Sequence, residues 1–594
     1  MKDRIVRIGG ASGFWGDSAL GVPQLVAAGV DYLVFDYLAE LTMSILVNAR
    51  ARDPALGYAT DFVDVAMKPV LKTVAEKRVK VVSNAGGVNP AGCGAALARL
   101  CVEQGVALKI AIVEGDDVLG QVEALRAAGV TEMFSAASMP EKLLSANAYL
   151  GAIAIAEALK RGADVVITGR CVDSAVTLGP LMHEFGWATD AYDKLAQGSL
   201  AGHIIECGAQ ATGGLFTDWE SVPDWANIGY PIVECAADGS FVVAKPAGTG
   251  GLISVPVVAE QMLYEIGDPA AYLLPDVSCD FTQVRMKQVG ENRVGVSGAR
   301  GRAPPHTYKV SSTWMDGWRS QATLVITGID AAKKARRSGE AILERTRAIF
   351  RRRKFDDYTD TLLEILGAEH QYGMHARTAA AREVIMRLSV KHVDPKALSI
   401  FAREIAPAGT SWSPGTTGMG GGRAKAAPNV RLFSFAVPRS GVRVGVRMDG
   451  ERFEVEIPSG APFVPAPAAI RSPATELAAM SKPSGITVPL IRMAHGRSGD
   501  KGDMANIGIV ARKPEYLPLL RDQLTAAVVK RYFAHLVKGE VERHELPGIG
   551  AFNFVLREAL GGGGMASLRI DPLGKGMAQM LLDIPLAVPR DWAL

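Results

Sequence analysis

The sequence predicts an α/β N-terminal region with a mainly parallel sheet, an α+β middle lobe and a C-terminal α+β domain. Three observations carry that expectation. The first third alternates short β-branched runs with amphipathic helical stretches, the pattern of a parallel sheet covered on both faces. From about Leu200 the alternation gives way to glycine-rich turns and longer strand-like runs. Pro458 to Pro483 is rich in Pro, Ala and Ser, as a semi-extended interdomain linker is. The expected divisions are therefore 1–200, 201–457, a linker at 458–486, and 487–594.

The elements follow in order. Ile5 to Ile8 reads as a strand running into Gly9-Gly10-Ala11-Ser12-Gly13, with a helix through Ala28. Tyr32 to Phe35 is a second strand and Glu40 to Arg52 a helix. Val79 to Val82 is a third strand, ending in Ser83-Asn84-Ala85-Gly86-Gly87, and Ala91 to Gln104 is helical. Leu108 to Val113 and Asp164 to Thr168 complete the strands, the last ending in Gly169-Arg170-Cys171-Val172-Asp173. Tyr149 to Leu159 carries Glu157 and is too short to span a bilayer, so it reads as a buried helix. Tyr308 to Ser312 and Ala322 to Thr327 look strand-like. Ala331 to Arg353 and Thr378 to Leu388 look helical. In the last domain Asn506 to Ala511, Glu540 to His544 and Ala551 to Leu556 read as strands, as do the ends at Ala566 to Ile570 and Met580 to Ile584. Leu517 to Ala534 reads as a helix.

Right-handed crossovers place the C-terminal ends of parallel strands on one edge, where ligands of open α/β sheets bind. The polar segments 9–18, 83–90 and 169–174 should meet there. Gly10, Ser12, Gly13, Asn84, Gly86, Gly87 and Arg170 are thus candidate substrate-binding residues, with backbone amides of the glycines offered to an oxyanion. His203-x-x-Glu206 puts two ionisable groups on one helical face. No third ligand of metal spacing follows, so no metal is expected. Glu206 is instead a general acid/base candidate whose burial would raise its pKa, and Asp173 is its partner.

The segment His495 to Asp503 reads His-Gly-Arg-Ser-Gly-Asp-Lys-Gly-Asp. Glycine disfavours a helix and nothing apolar alternates, so it reads as a shaped loop. Such a loop brings amides and cations to an anion. His495 is a catalytic candidate here. Arg497, Ser498 and Lys501, with Gln210 from the middle lobe, are expected to hold substrate.

The 594 residues carry a net charge of +3 and are 48% hydrophobic, which gives no pull toward nucleic acid or an anionic membrane. The six cysteines include no CxxC pair, which fits a reducing compartment. Met1 to Arg7 has no apolar core of a signal peptide, so a cytoplasmic location is expected. GxGxxG, Walker, GxSxG and HExxH patterns are absent from the sequence, which removes the fingerprint for dinucleotide, P-loop, hydrolase-elbow and zincin chemistry.

Several segments together resemble the acyclic terpene utilisation AtuA-like family. They are Ile8 to Asp17, Tyr37 to Thr42, Gly57 to Phe62, Asn84 to Gly87, Thr168 to Arg170 with Asp173-Ser174, Glu206 to Gln210 with Thr212 to Gly214, Gly248 to Gly251, and His495 to Gly502 with Asn506 to Gly508. The resemblance implies a ferredoxin-fold-like C-terminal domain and a role in catabolism of acyclic terpenes or related branched acyl compounds. Such pathways run through coenzyme A thioesters and a biotin-dependent acyl-CoA carboxylase. The expected function is hydratase or lyase-type acid/base chemistry on an acyl-CoA, with coenzyme A as part of the substrate and no tightly bound cofactor. The alternative is a non-catalytic acyl-CoA-binding or assembly partner of the carboxylase. A homo-oligomer is expected from base rates alone.

Overall fold

Five parallel strands organise the large part of the molecule. The computed structural model describes residues 4–418, 420–462 and 485–592, so most of the proline-rich linker lies outside the described residues. β1 (Ile5–Ser12), β2 (Tyr32–Phe35), β3 (Lys80–Ser83), β4 (Ile110–Glu114), β5 (Ser145–Ala148) and β6 (Val165–Thr168) follow one another in the chain. In space the parallel order is β1-β2-β3-β6-β4, while β5 pairs with a different sheet. The strands read as continuous apolar runs because helices cover both faces: every residue of β2 and β6 is buried, as buried parallel sheets require.

The sheet does not stop at residue 200. Ile232–Ala236 adds antiparallel to β1, followed by Phe241–Ala244, Arg293–Ser297 and Arg285–Gly290. Gly445–Met448 adds to β4 at the other edge, and the whole has eleven strands. The middle region therefore extends the first sheet as well as building its own. That second sheet is centred on one strand of 21 residues, Thr307–Thr327, which joins the two shorter runs read from sequence. The helices Ala331–Arg353 and Pro395–Ser411 pack on it.

Residues 378–388 are not helical. Glu383–His392 is a strand between Thr307–Thr327 and Asp360–Leu366. Alternate burial at Val384, Met386, Leu388 and Val390 outweighs the helix-forming alanines that precede it, since β placement is decided by face packing.

The C-terminal domain is a four-stranded antiparallel sheet, ordered Ala494–Lys501, Met504–Ala511, Ala551–Leu556, Val541–Leu546. Short helices at Leu517–Gln523 and Ala526–Tyr532 replace the single one expected, with Thr525 capping the second through Val528 N–H. Residues 566–570 are turns and irregular backbone, and Met577–Leu581 is a helix, so neither strand expected there forms. The final strand is Pro585–Val588, paired with Ile486–Pro489.

The largest correction is the 495–503 segment. It is a strand, joined to its partner strand by a tight turn at Gly502-Asp503. Its glycines serve backbone proximity. A Cβ on Gly499 would stand 2.5 Å from Glu265 Cγ and 2.8 Å from the Tyr264 ring, and Gly502 has φ +64° at the turn. On the partner strand, a Cβ on Gly508 would stand 2.4 Å from Leu263 Cβ. The hairpin thus lies directly on helix Val255–Leu263 and the turn after it. Asn506 donates to Leu263 O (2.6 Å) and accepts from Glu265 N–H (3.0 Å), and Asn553 donates to Gly267 O (2.6 Å).

Candidate functional site

Three carboxylates from three separate strand and helix ends converge on one point. Asp36 follows β2, Asp173 follows β6, and Glu206 caps helix Tyr192–Ile205. Their nearest oxygens lie within 4.8 Å of one another. Asn84, at the end of β3, fixes Asp36: its amide donates to Asp36 Oδ1 at 2.5 Å while its oxygen accepts Tyr37 N–H at 2.7 Å. Arg170 fixes Asp173 through a 2.8 Å bond to Oδ1 and another to Cys171 O. Its guanidinium lies 4.1 Å over the Tyr149 ring, and Tyr149 donates to Glu40 at 2.7 Å.

Glu206 is paired with His203, whose Nδ1 stands 3.2 Å from Oε1. His203 Nε2 is 3.0 Å from Met262 O. A carbonyl only accepts, so Nε2 carries a hydrogen. Nδ1, 3.2 Å from Glu206 Oε1 without a formed hydrogen bond, is then the nitrogen left to bind a proton beside that carboxylate.

Three ionised carboxylates this close would repel by about 3 kcal/mol per pair at an effective dielectric of about 20. Burial, and then Asp173 and Glu206, push Asp36 well above the usual carboxylate range. Burial raises Glu206 as well, against the pull of His203. His203 itself is raised, because Glu206 and the Met262 carbonyl outweigh its burial. Burial and mutual repulsion thus make Asp36 and Glu206 bind protons more tightly than isolated carboxylates do.

Lys501 reaches the cluster from the tip of the C-terminal hairpin. Burial works against its charge, yet Glu265 (3.2 Å), Tyr272, Asp173 and Glu40 hold its pKa well above the ordinary value. Glu265 is also bonded to Lys575 at 2.7 Å, and Lys501 and Lys575 draw it down to about 2 in spite of burial. Lys501, Asp173 and Glu40 are surrounded by protein, yet keep 40%, 26% and 26% of their side chains open. That combination describes a partly open recess, reached by solvent, beside the tip of the C-terminal hairpin.

Of the residues singled out from sequence, Asn84, Arg170, Asp173, Glu206 and Lys501 meet here. Asp36, Tyr149 and Glu40 also belong to it and were not singled out. The signal for Asp36 was available: an acid directly after an apolar run at the predicted ligand edge.

Other candidates go elsewhere. Gly10 N–H donates to Pro231 O, Gly13 N–H to Asp17, Gly86 N–H to Thr168 O and Gly87 N–H to Asn84 O. These amides are spent, so the expected oxyanion cradle does not form from them. Gly10 and Gly13 instead let β1 approach Ile205 O and Cys207, where a Cβ would stand at 2.6 Å. Ser12 Oγ bonds Phe14 O. Ser498 faces the C-terminal core, bonding Gly574 O (2.7 Å) and Ala578 N–H (2.9 Å).

Arg497 is occupied by Gln210 and by the Gly214 and Leu215 carbonyls. His495 sits at the far end of the strand from Lys501, six residues or about 20 Å away. There it contacts Asp218 at 3.1 Å and stacks on Phe216. Burial and then Arg512 lower it to about 4. It therefore stays neutral and lies outside the recess.

The carboxylate triad is also a hard-donor set of the kind that binds divalent cations. Sequence spacing hid it because each oxygen comes from a different element.

The family described as acyclic terpene utilisation family protein AtuA matches residues 6–448, and the AtuA ferredoxin-like domain matches residues 488–587. No curated protein and no solved structure matches the chain. Among the described residues, no helix is long and apolar enough to cross a membrane.

Proposed function

The chain belongs to the acyclic terpene utilisation AtuA family, which implies a part in acyclic terpene utilisation, and we propose that it is an acid/base enzyme acting on a branched acyl-CoA of that catabolism. The reaction class is hydration, dehydration or carbon–carbon cleavage next to the thioester carbonyl. The observation that carries this reading is the convergence of the Asp36, Asp173 and Glu206 carboxylates within 4.8 Å, with the Lys501 ammonium near enough to interact with Asp173.

For dehydration of a 3-hydroxyacyl thioester, Glu206 takes the proton α to the carbonyl. Asp36, held protonated, gives its proton to the departing hydroxyl, which leaves as water while the C=C bond forms. Lys501 stabilises the negative oxygen that develops on the carbonyl. Asp173, the triad member most open to solvent and close to both other carboxylates, passes the proton gained by Glu206 back to Asp36, which closes the cycle. His203 keeps Glu206 oriented, its Nδ1 3.2 Å from Oε1.

The test incubates the purified protein with unsaturated, 3-hydroxy and carboxylated branched acyl-CoAs and follows mass changes. Conversion of one of them, lowered about 10²–10⁴-fold in Glu206→Gln with binding retained, supports the enzyme. Binding without any conversion supports the other role, an acyl-CoA-binding or assembly partner of a carboxylase. A second reading, a divalent cation on the same oxygens, is favoured by their mutual spacing. Turnover that is lost on chelation and restored by Mg²⁺ would select it.

A further inference from the structure

A second recess lies where the C-terminal domain meets the middle sheet, and no residue of the carboxylate cluster lines it. Its volume is about 300 Å³. That is at the lower bound of ligand cavities: it holds an acyl chain and not a nucleotide-bearing thioester. The wall is mostly apolar, formed by Leu362, Leu536, Leu560, Met577 and Met580. Methionine adapts to flexible hydrocarbon.

One end of the recess carries Arg569. Its guanidinium donates to the Ala559 carbonyl and, at 2.9 Å, to Leu536 O. Both acceptors are neutral. Among the described residues no carboxylate pairs with it at ion-pair distance. The two acids of the same wall are already engaged. Glu364 is bonded to Arg387 and accepts Ile570 N–H at 3.1 Å. Asp571 accepts Lys575 N–H (2.9 Å) and Gly576 N–H (2.8 Å). His535 donates to Gln371 O, and burial holds both His370 and His535 below the usual imidazole range, so they add no charge. Asp503, the other acid that acts on its charge, accepts Leu560 N–H (3.1 Å) and Gly562 N–H (2.8 Å), so the half-buried guanidinium has no carboxylate in contact and retains N–H groups for an anion.

We propose that this recess binds a medium-chain aliphatic monocarboxylate, its carboxylate on Arg569 and its tail along the Leu and Met wall. The site is separate from the carboxylate cluster, although segment 559–576 borders both, ending at Lys575 on Glu265 and Asp500. A ligand there bridges the two domains.

The test is isothermal titration of the full chain with octanoate and, as the uncharged control, octanol. Saturable one-site binding of octanoate is expected, with octanol weaker by about tenfold or more. Arg569→Gln should weaken octanoate by about the same factor. Because Arg569 also ties two carbonyls, Leu362→Trp provides an independent block: it fills the wall and should abolish binding while near-UV circular dichroism stays native. Glu206→Gln should bind octanoate as the unaltered protein does. Absence of saturable binding, equal affinity for octanol, or full binding by Leu362→Trp would each overturn the proposal. Loss of octanoate in Glu206→Gln would move the ligand to the carboxylate recess and also overturn it.

Discussion

The hairpin strand Ala494–Lys501 and the carboxylate recess are both rich in ionisable groups, and they use them in opposite ways. On the hairpin nearly every polar side chain is engaged within the protein: Arg497 by Gln210 and two carbonyls, His495 by Asp218, Asp500 by Lys575. In the recess, three carboxylates crowd within 4.8 Å, with one arginine and one histidine beside them. The first arrangement joins two domains, and only its tip, Lys501, enters the recess. The second keeps like charges close, which costs stability and is the arrangement expected of groups that move protons. Density of polar residues along a sequence is therefore a poorer guide to chemistry than convergence of single residues from separate strand ends.

The strongest way to break this contrast is to compare activities across the two regions. Asp36→Asn and Glu206→Gln should each lower turnover by about 10²–10⁴-fold, whereas His495→Gln should leave it within a few-fold. Equal losses would mean that His495 reaches the chemistry after all.

The hairpin's role as a clamp is sharpened by stability. Gly508→Val places methyl groups where Leu263 already stands and should cost about 3 kcal/mol in chemical denaturation. A negligible change would mean that the domains dock loosely.

Glu260 supplies a control, a buried acid outside the recess. Its Oε1 accepts Thr217 N–H at 3.3 Å, and Oε2 has no hydrogen bond among the described residues. Burial, opposed by Thr217, raises it to about 7. The folded state therefore binds this proton more tightly than the unfolded chain. The stability it contributes is complete below about pH 4.5 and is lost as pH rises through about 7, up to about 3 kcal/mol. In Glu260→Gln that loss should disappear from denaturation curves taken near pH 5 and near pH 8, with activity little changed. An unaltered pH slope would show that Glu260 is ionised in the fold.

Much of the architecture was legible. Tyr32–Phe35, Glu40–Arg52 and Ala331–Arg353 have the bounds read from sequence, because β-branched runs and helical periodicity act locally there. Part of the convergence was legible too, since parallel strands point one way: Asn84, Arg170 and Asp173, from two of the three expected segments, do come together. Asp36 was hidden because one acid after Phe35 looks like ordinary turn chemistry.

The hairpin strand was misread because both its faces are buried by protein, so polar side chains and glycines stand where apolar ones usually would. Its partners lie in the helix and turn around Leu263 and in the 574–578 segment, contacts that no local pattern encodes. The amides of Gly86 and Gly87 look free in the sequence, but the first donates to Thr168 O on the neighbouring strand and the second closes a turn on Asn84 O.

Whether Asp36 holds a proton is most directly tested by infrared difference spectroscopy at neutral pH, comparing the unaltered protein with Asp36→Asn. The account predicts an undissociated carboxylic-acid carbonyl band that is present in the former and missing from the latter. Identical spectra, or loss of only an ionised-carboxylate band, would contradict it.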